Sequence, residues 1–167
     1  MFKIKIIAKF AVCHFNRKMN YFQFLFRSSN QHGVHSPFVF NYLTKGLYRP
    51  YRNTYNRKKH FIEQTIQYFQ PDNIVDFRTE KIPDLLPETT DLVIIRSNQL
   101  ETPDFSNFID SFHNDTTGII DCRNLAEKRL AEKLLQHPKI TVVLHFYWYI
   151  VFFVRKEQQK ELFFLRL

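Results

Sequence analysis

Residues 73–77 read NIVDF, residues 91–95 DLVII and residues 117–121 TGIID. Each is a short apolar, mostly β-branched run bounded by turn or acidic residues. A strand covered on both faces has no need of polar alternation, so such runs read as buried strands of a parallel sheet. Between the second and third lies TPDFSNFIDSFH (102–113), with Thr102 as a cap and Phe105, Phe108, Ile109 and Phe112 on one helical face. After the third comes NLAEKRLAEKLLQH (124–137), with Leu125, Leu130, Leu134 and Leu135 at helical spacing. Strand and helix alternating in this way is the pattern of βαβ units. The chain closes with ITVVLHF, YIVFFVR and ELFFLRL, three runs close enough in sequence to pair antiparallel. The fold class is α/β, a mostly parallel sheet with antiparallel C-terminal strands. In such sheets ligands bind at the carboxyl ends of the strands, which directs attention to the loops after Phe77, Ile95 and Asp121.

Ahead of the sheet the spacing predicts helices. Tyr21, Phe22, Leu25 and Phe26 recur helically within 20–27, and Ser36-Pro37 supplies an N-cap and a first-turn proline. From there Phe38, Val39, Tyr42, Leu43 and Leu47 form an apolar face, and a longer helix with Phe61, Ile62, Thr65, Ile66 and Phe69 ends near Phe69. The organisation is therefore a basic, aromatic, helical N-terminal extension over 1–56, followed by an α/β domain over 57–167. The first 18 residues read as a poorly ordered extension, with the domain proper starting near Met19.

The charge is divided unevenly. Residues 1–62 hold 12 Lys or Arg and no acid, a balance of +12, whereas 63–167 hold 12 basic and 16 acidic residues, a balance of −4. Phe22, Phe24, Phe26, Tyr48, Tyr51 and Tyr55 interleave with the cations, a mixture suited to phosphate contact and base stacking. A solvated basic face over an aromatic core is the alternative. Arg49, Arg52, Arg57, Lys58 and Lys59 are the candidates for binding an anion or nucleic acid. With only Cys13 and Cys122, a disulfide framework and a cysteine metal cluster are excluded, and a reducing cytoplasm is expected. No membrane span is expected: Lys9 interrupts the N-terminal apolar run, and residues 140–154 fall short of the roughly 20 a spanning helix needs. His32 and His35 flank Gly33 with no Cys, Asp or Glu close by in sequence, so turn and capping roles are expected there and no metal. No P-loop, nucleophile elbow or His-Glu-x-x-His motif is present.

Several segments, in order, resemble a bacterial family of class I S-adenosylmethionine-dependent methyltransferases with a Rossmann-like fold. HGVHSPFVF (32–40) resembles the family's N-terminal segment, and FIEQTIQYFQPDNIVDF (61–77) the helix and first strand leading to its cofactor loop. DLVIIRSNQ (91–99) resembles the fourth strand, GIIDCRN (118–124) the fifth, and residues 140–167 the closing antiparallel strands. The resemblance implies a glycine-rich turn after the first strand, yet no glycine lies between Gly46 and Gly118. It also implies two further helices and strands before the fourth strand, but only 13 residues, Arg78 to Thr90, are available, so the second and third family strands are expected to be missing. The ribose-binding acid carried by the second strand goes with them. Arg96, Ser97 and Gln99 stand where the family has Asp, Gly and His, and Tyr149 stands at a glycine of the final hairpin.

What survives of the family's centre is Asp76 with Phe77 at the former cofactor loop, and Asp121; with Arg96 these are the remnant catalytic candidates. Each carboxylate can equally cap a helix or pair with a local arginine such as Arg123 or Arg78. The expected function is a shortened, degenerate methyltransferase-like domain that is not catalytic, holds no cofactor and serves as a binding or scaffold module. The alternatives are an active methyltransferase using S-adenosylmethionine, and a nucleic-acid-binding module acting through the basic N-terminal region. An acidic partner or nucleic acid, and a homodimer covering the exposed sheet edge, are the partners to expect.

Overall fold

In a computed structural model of the chain the described residues are 21–50, 57–101, 105–122 and 128–167. Five α-helices are described: α1 (Tyr21–Arg27), α2 (Pro37–Asn41), α3 (Arg57–Phe69), α4 (Phe105–Asp110) and α5 (Lys128–Gln136). A π-helical turn, Tyr42–Leu47, follows α2 directly. Six strands, β1 (Ile74–Asp76), β2 (Leu92–Arg96), β3 (Thr117–Asp121), β4 (Val142–His145), β5 (Tyr149–Phe153) and β6 (Glu161–Phe164), form one sheet in the order β1-β2-β3-β5-β4-β6. The boundary at residue 56, the Thr102 cap and Leu125 lie outside the described residues, as does the N-terminal 18-residue segment.

β1, β2 and β3 pair parallel, and β5 runs antiparallel to both of its neighbours, β3 and β4. The last strand departs from a simple antiparallel succession, because β6 pairs parallel with β4. Both edges of β5 are already taken, so the chain leaving β5 has to pass to the free edge of β4. Phe153 and Glu161 both lie opposite Val142, so a short loop past the start of β4 suffices.

Strand alternation splits the core into two faces. Val93, Ile95, Ile120, Val143, Ile150 and Phe152 meet Phe108 and Ile109 of α4 and Ala131 and Leu134 of α5. Leu92, Ile94, Ile119, Val142, Leu144 and Val151 face the other way, onto Val39, Leu43, Leu47 and Phe61. Residues 34–47 are thus part of the same buried cluster as the sheet. Ser36 Oγ accepts from the Val39 amide at 3.5 Å and Pro37 sits in the first turn, the N-cap that the sequence predicts.

Two expectations change in detail. NIVDF is an edge strand and not a buried one: β1 pairs only with β2 among the described strands, and Ile74 is 42% exposed. In α1 the residue that docks is Phe24, in contact with the rings of Tyr147, His145 and Phe164, while Phe22 and Phe26 are 73% and 91% exposed. The helix therefore docks through buried Phe24, outside the expected face, and through Tyr21 of that face, whose ring lies 5.1 and 5.2 Å from those of Tyr147 and Trp148. Among the described residues no helix is long and apolar enough to cross a membrane.

Candidate functional site

The carboxyl ends of β1, β2 and β3 bring Asp76, Arg96 and Asp121 to one end of the sheet, as the sequence candidates require. Arg96 lies directly across from Asp121, which in turn lies across from Tyr149 of β5. What occupies the space between the strand ends is Arg78. Its Nε donates to both Asp76 oxygens at 2.9 and 3.0 Å, its Nη2 donates to Oδ2 at 2.6 Å, and its Nη1 stands 3.9 Å from Asp121 Oδ2. The hydrogen bond from Arg78 holds the Asp76 carboxyl below its usual range against the opposing effect of partial burial, with the charges of Arg78 and Arg96 adding to it. Asp76 in turn raises the basicity of Arg78. Asp76 is therefore held as a carboxylate by a structural cation, and with its pKa lowered and its oxygens engaged by Arg78 it is a poor general base.

A second device closes the same end. Gln99 accepts the Arg96 amide hydrogen at 2.7 Å through Oε1, and its Nε2 donates to the carbonyls of Phe77 and Glu80 at 2.9 and 2.6 Å. One side chain thus ties the exit of β1 to the end of β2. The segment from Arg78 to Thr90 contains no helix or strand, and Ile82 and Leu86 bury themselves in the core over α4. The Leu86 amide donates to Ser111 Oγ at 3.0 Å, which pins the loop further. Phe77, just after β1, is buried against Phe108. Burial, with the Asp121 charge second, pushes the Cys122 thiol up to about 12, so it is not a nucleophile at neutral pH. Arg96 Nε is buried with no hydrogen-bond partner among the described residues.

Arg78 and Gln99 are the residues that sequence reasoning did not place in the site. The signal for Arg78 is its position two residues after Asp76; for Gln99 the sequence offers only its place at the end of the DLVIIRSNQ segment. Tyr149 is extended within β5 and stacks on Phe61 at 4.4 Å, and the left-handed backbone position of the hairpin falls at Tyr147, with φ 71°. His32 lies in a 3-10 turn capped by Asn30, whose Oδ1 accepts the His32 amide hydrogen at 3.1 Å. Among the described residues no group of three or more His, Cys, Asp or Glu is placed to hold a metal.

The basic candidates belong to other segments of the chain. Arg57, Lys58 and Lys59 form the first turn of α3, and Arg52 lies outside the described residues. Arg49 lines a groove of about 990 Å³ between the π turn and α3, together with Lys45, Glu63, Gln64, Gln67 and Tyr68. It shares no lining residue with the strand-end site.

Compared with protein-family models, curated proteins and solved structures, the chain finds no match.

Proposed function

We infer that the chain is a methyltransferase-like α/β domain that does not bind S-adenosylmethionine, performs no catalysis and works as a binding module for an acidic partner or nucleic acid. The observation that carries this is the plug at the strand ends: Arg78 binds Asp76 and reaches towards Asp121 in the place where a cofactor pocket needs open carboxylates and a glycine turn. Direct pairing of β1 with β2 agrees with the loss of the intervening family strands and of the ribose-binding acid. Titration of S-adenosylmethionine and of its demethylated product in a calorimeter tests the reading. No heat of binding is expected, and micromolar affinity for either overturns it in favour of an active enzyme using Asp76 and Asp121.

The basic first half of the chain, +12 over residues 1–62, favours polyanions as the partner. A cytoplasmic setting belongs to the same reading, on the low cysteine count. β1 at the sheet edge, with Ile74 partly exposed, favours a second copy as its cover. Light scattering over a concentration series is expected to show a dimer, and a constant monomer mass removes that element.

A further inference from the structure

We propose that the groove between the π turn and α3 is a binding site for single-stranded nucleic acid, with Lys45 and Arg49 holding phosphates and Tyr68 offering a surface for a base. The proposal rests on the reading of the basic region as a polyanion-binding surface and gives it a place and a ligand class.

The groove is built from both of its walls. Gln64, only 5% exposed, donates from Nε2 to the Arg49 carbonyl at 3.1 Å, fixing the end of the π-turn wall to α3. Gly46 lets that wall approach closely: a Cβ there would stand 3.2 Å from Cβ and Cγ of Tyr68, tighter than ordinary contact. Tyr68 is held from beneath by the rings of Tyr42 and Phe69, at 5.3 and 4.9 Å. Lys45 and Arg49 are exposed on the opposite wall and make no ion pair with a described residue. The one carboxylate on the rim, Glu63, is engaged by His60 Nδ1 at 2.9 Å. From Pro50 in the lining the chain runs on as YRNTYNRKK, so four further cations continue in sequence from the groove.

Cations along one wall, an aromatic on the other and the exposed amide of Gln67 make up the equipment that single strands need: charge for the backbone and a π-face for an unstacked base. A duplex keeps its bases stacked inside and cannot present one to a ring recessed in a groove. An acidic peptide would use the cations and leave Tyr68 without a role.

The test is fluorescence anisotropy with a labelled mixed-sequence single strand of about 12 nucleotides. The same strand as a duplex, and a polyglutamate competitor of matched charge, are measured beside it. Titrations are run between about 50 and 200 mM salt on the wild type, Lys45→Glu/Arg49→Glu and Tyr68→Leu. The charges are exposed, so the double variant keeps the fold, and thermal melting checks Tyr68→Leu. The expected result is single strand preferred over duplex. In the double variant the slope of log affinity against log salt should become shallower by about 1.4, two phosphates at about 0.7 each. Tyr68→Leu should weaken binding about tenfold at an unchanged slope. If both variants bind like the wild type while charge reversal at Arg52, Arg57, Lys58 and Lys59 abolishes binding, the groove assignment is overturned and the polyanion reading stands. Equal affinity for duplex, or equal competition by polyglutamate, overturns the single-strand assignment. No binding to any polyanion overturns both.

Discussion

His145 is buried at the end of β4, and its Nδ1 accepts the amide hydrogen of Tyr147 at 3.3 Å. That leaves the proton of the neutral ring on Nε2, which is buried near Phe24 and Phe164 without a hydrogen-bond partner among the described residues. Burial therefore lowers the pKa from 6.5 to about 4. Between these two values the unfolded chain holds more protons than the folded one, so this residue makes stability fall as pH drops from 6.5 towards 4. The full effect is about 3 kcal/mol. Denaturant unfolding at pH 7 and at pH 4.5 measures it. His145→Asn keeps an acceptor for the Tyr147 amide but does not titrate, and its loss of stability on acidification is expected to be smaller than the wild type's; equal losses would assign the acid sensitivity to other groups. Asp76 contributes with the same sign at lower pH: its pKa is depressed, so its pairing with Arg78 is lost as the carboxyl protonates. At this scale legibility was uneven. An arginine two residues after Asp76 announces a possible ion pair in the sequence itself, whereas the state of His145 depends on a helix and a strand more than a hundred residues apart in the chain.

At the scale of elements, β3 carries Gly118 opposite Phe152 of β5, and the Phe152 ring occupies the space where a Cβ would stand. Gly118→Ala is therefore an overpacking change in the centre of the sheet, expected to cost about 1–3 kcal/mol in a denaturant titration. An unaffected midpoint would mean that the ring turns aside freely. α1 offers a contrast within one helix. Phe24→Ala removes the one fully buried side chain of α1 and is expected to cost about 3–5 kcal/mol, while Phe26→Ser, on the open face, should stay within about 0.5 kcal/mol of wild type. Equal effects would show that α1 is held by a different face. The strands were legible because continuous β-branched runs have few other structures open to them. The pairing of β6 with β4 was not, since the free edge belongs to a strand earlier in the chain. α1 was recognisable as a helix, but a stretch such as YFQFLF, with Gln23 its one polar residue, has too little polar surface to mark which residue turns inward. The π-turn groove was hidden for a related reason: Arg49 was visible within a basic cluster, but the wall facing it comes from the far half of α3.

For the whole molecule, the two clusters on opposite faces of a single sheet decide what can fold alone. One face of β2, β3, β4 and β5, through Leu92, Ile94, Ile119, Leu144 and Val151, is covered by Val39, Leu43 and Leu47 from before residue 50 and by Phe61 from α3. A chain beginning at residue 57 keeps Phe61 but leaves much of that apolar face open to water, and a sheet with one uncovered apolar face associates or loses its fixed packing. The sequence division at residue 56 follows charge and aromatic content; burial follows the sheet, and it crosses that division. The full chain is accordingly expected to unfold in one transition, seen alike by the far-ultraviolet signal of the helices and by the fluorescence of Trp148, which packs partly buried against the same cluster. The fragment 57–167 is expected to melt without cooperativity and to bind a hydrophobic dye, the behaviour of a collapsed chain lacking specific packing. A fragment with a sharp transition and no dye binding would instead make 57–167 an autonomous domain and the earlier helices a dispensable cover. That outcome would also bear on the polyanion surface, because the π-turn wall of the groove could then be removed without unfolding the α3 wall, and nucleic-acid binding by the fragment would measure what Lys45 and Arg49 contribute.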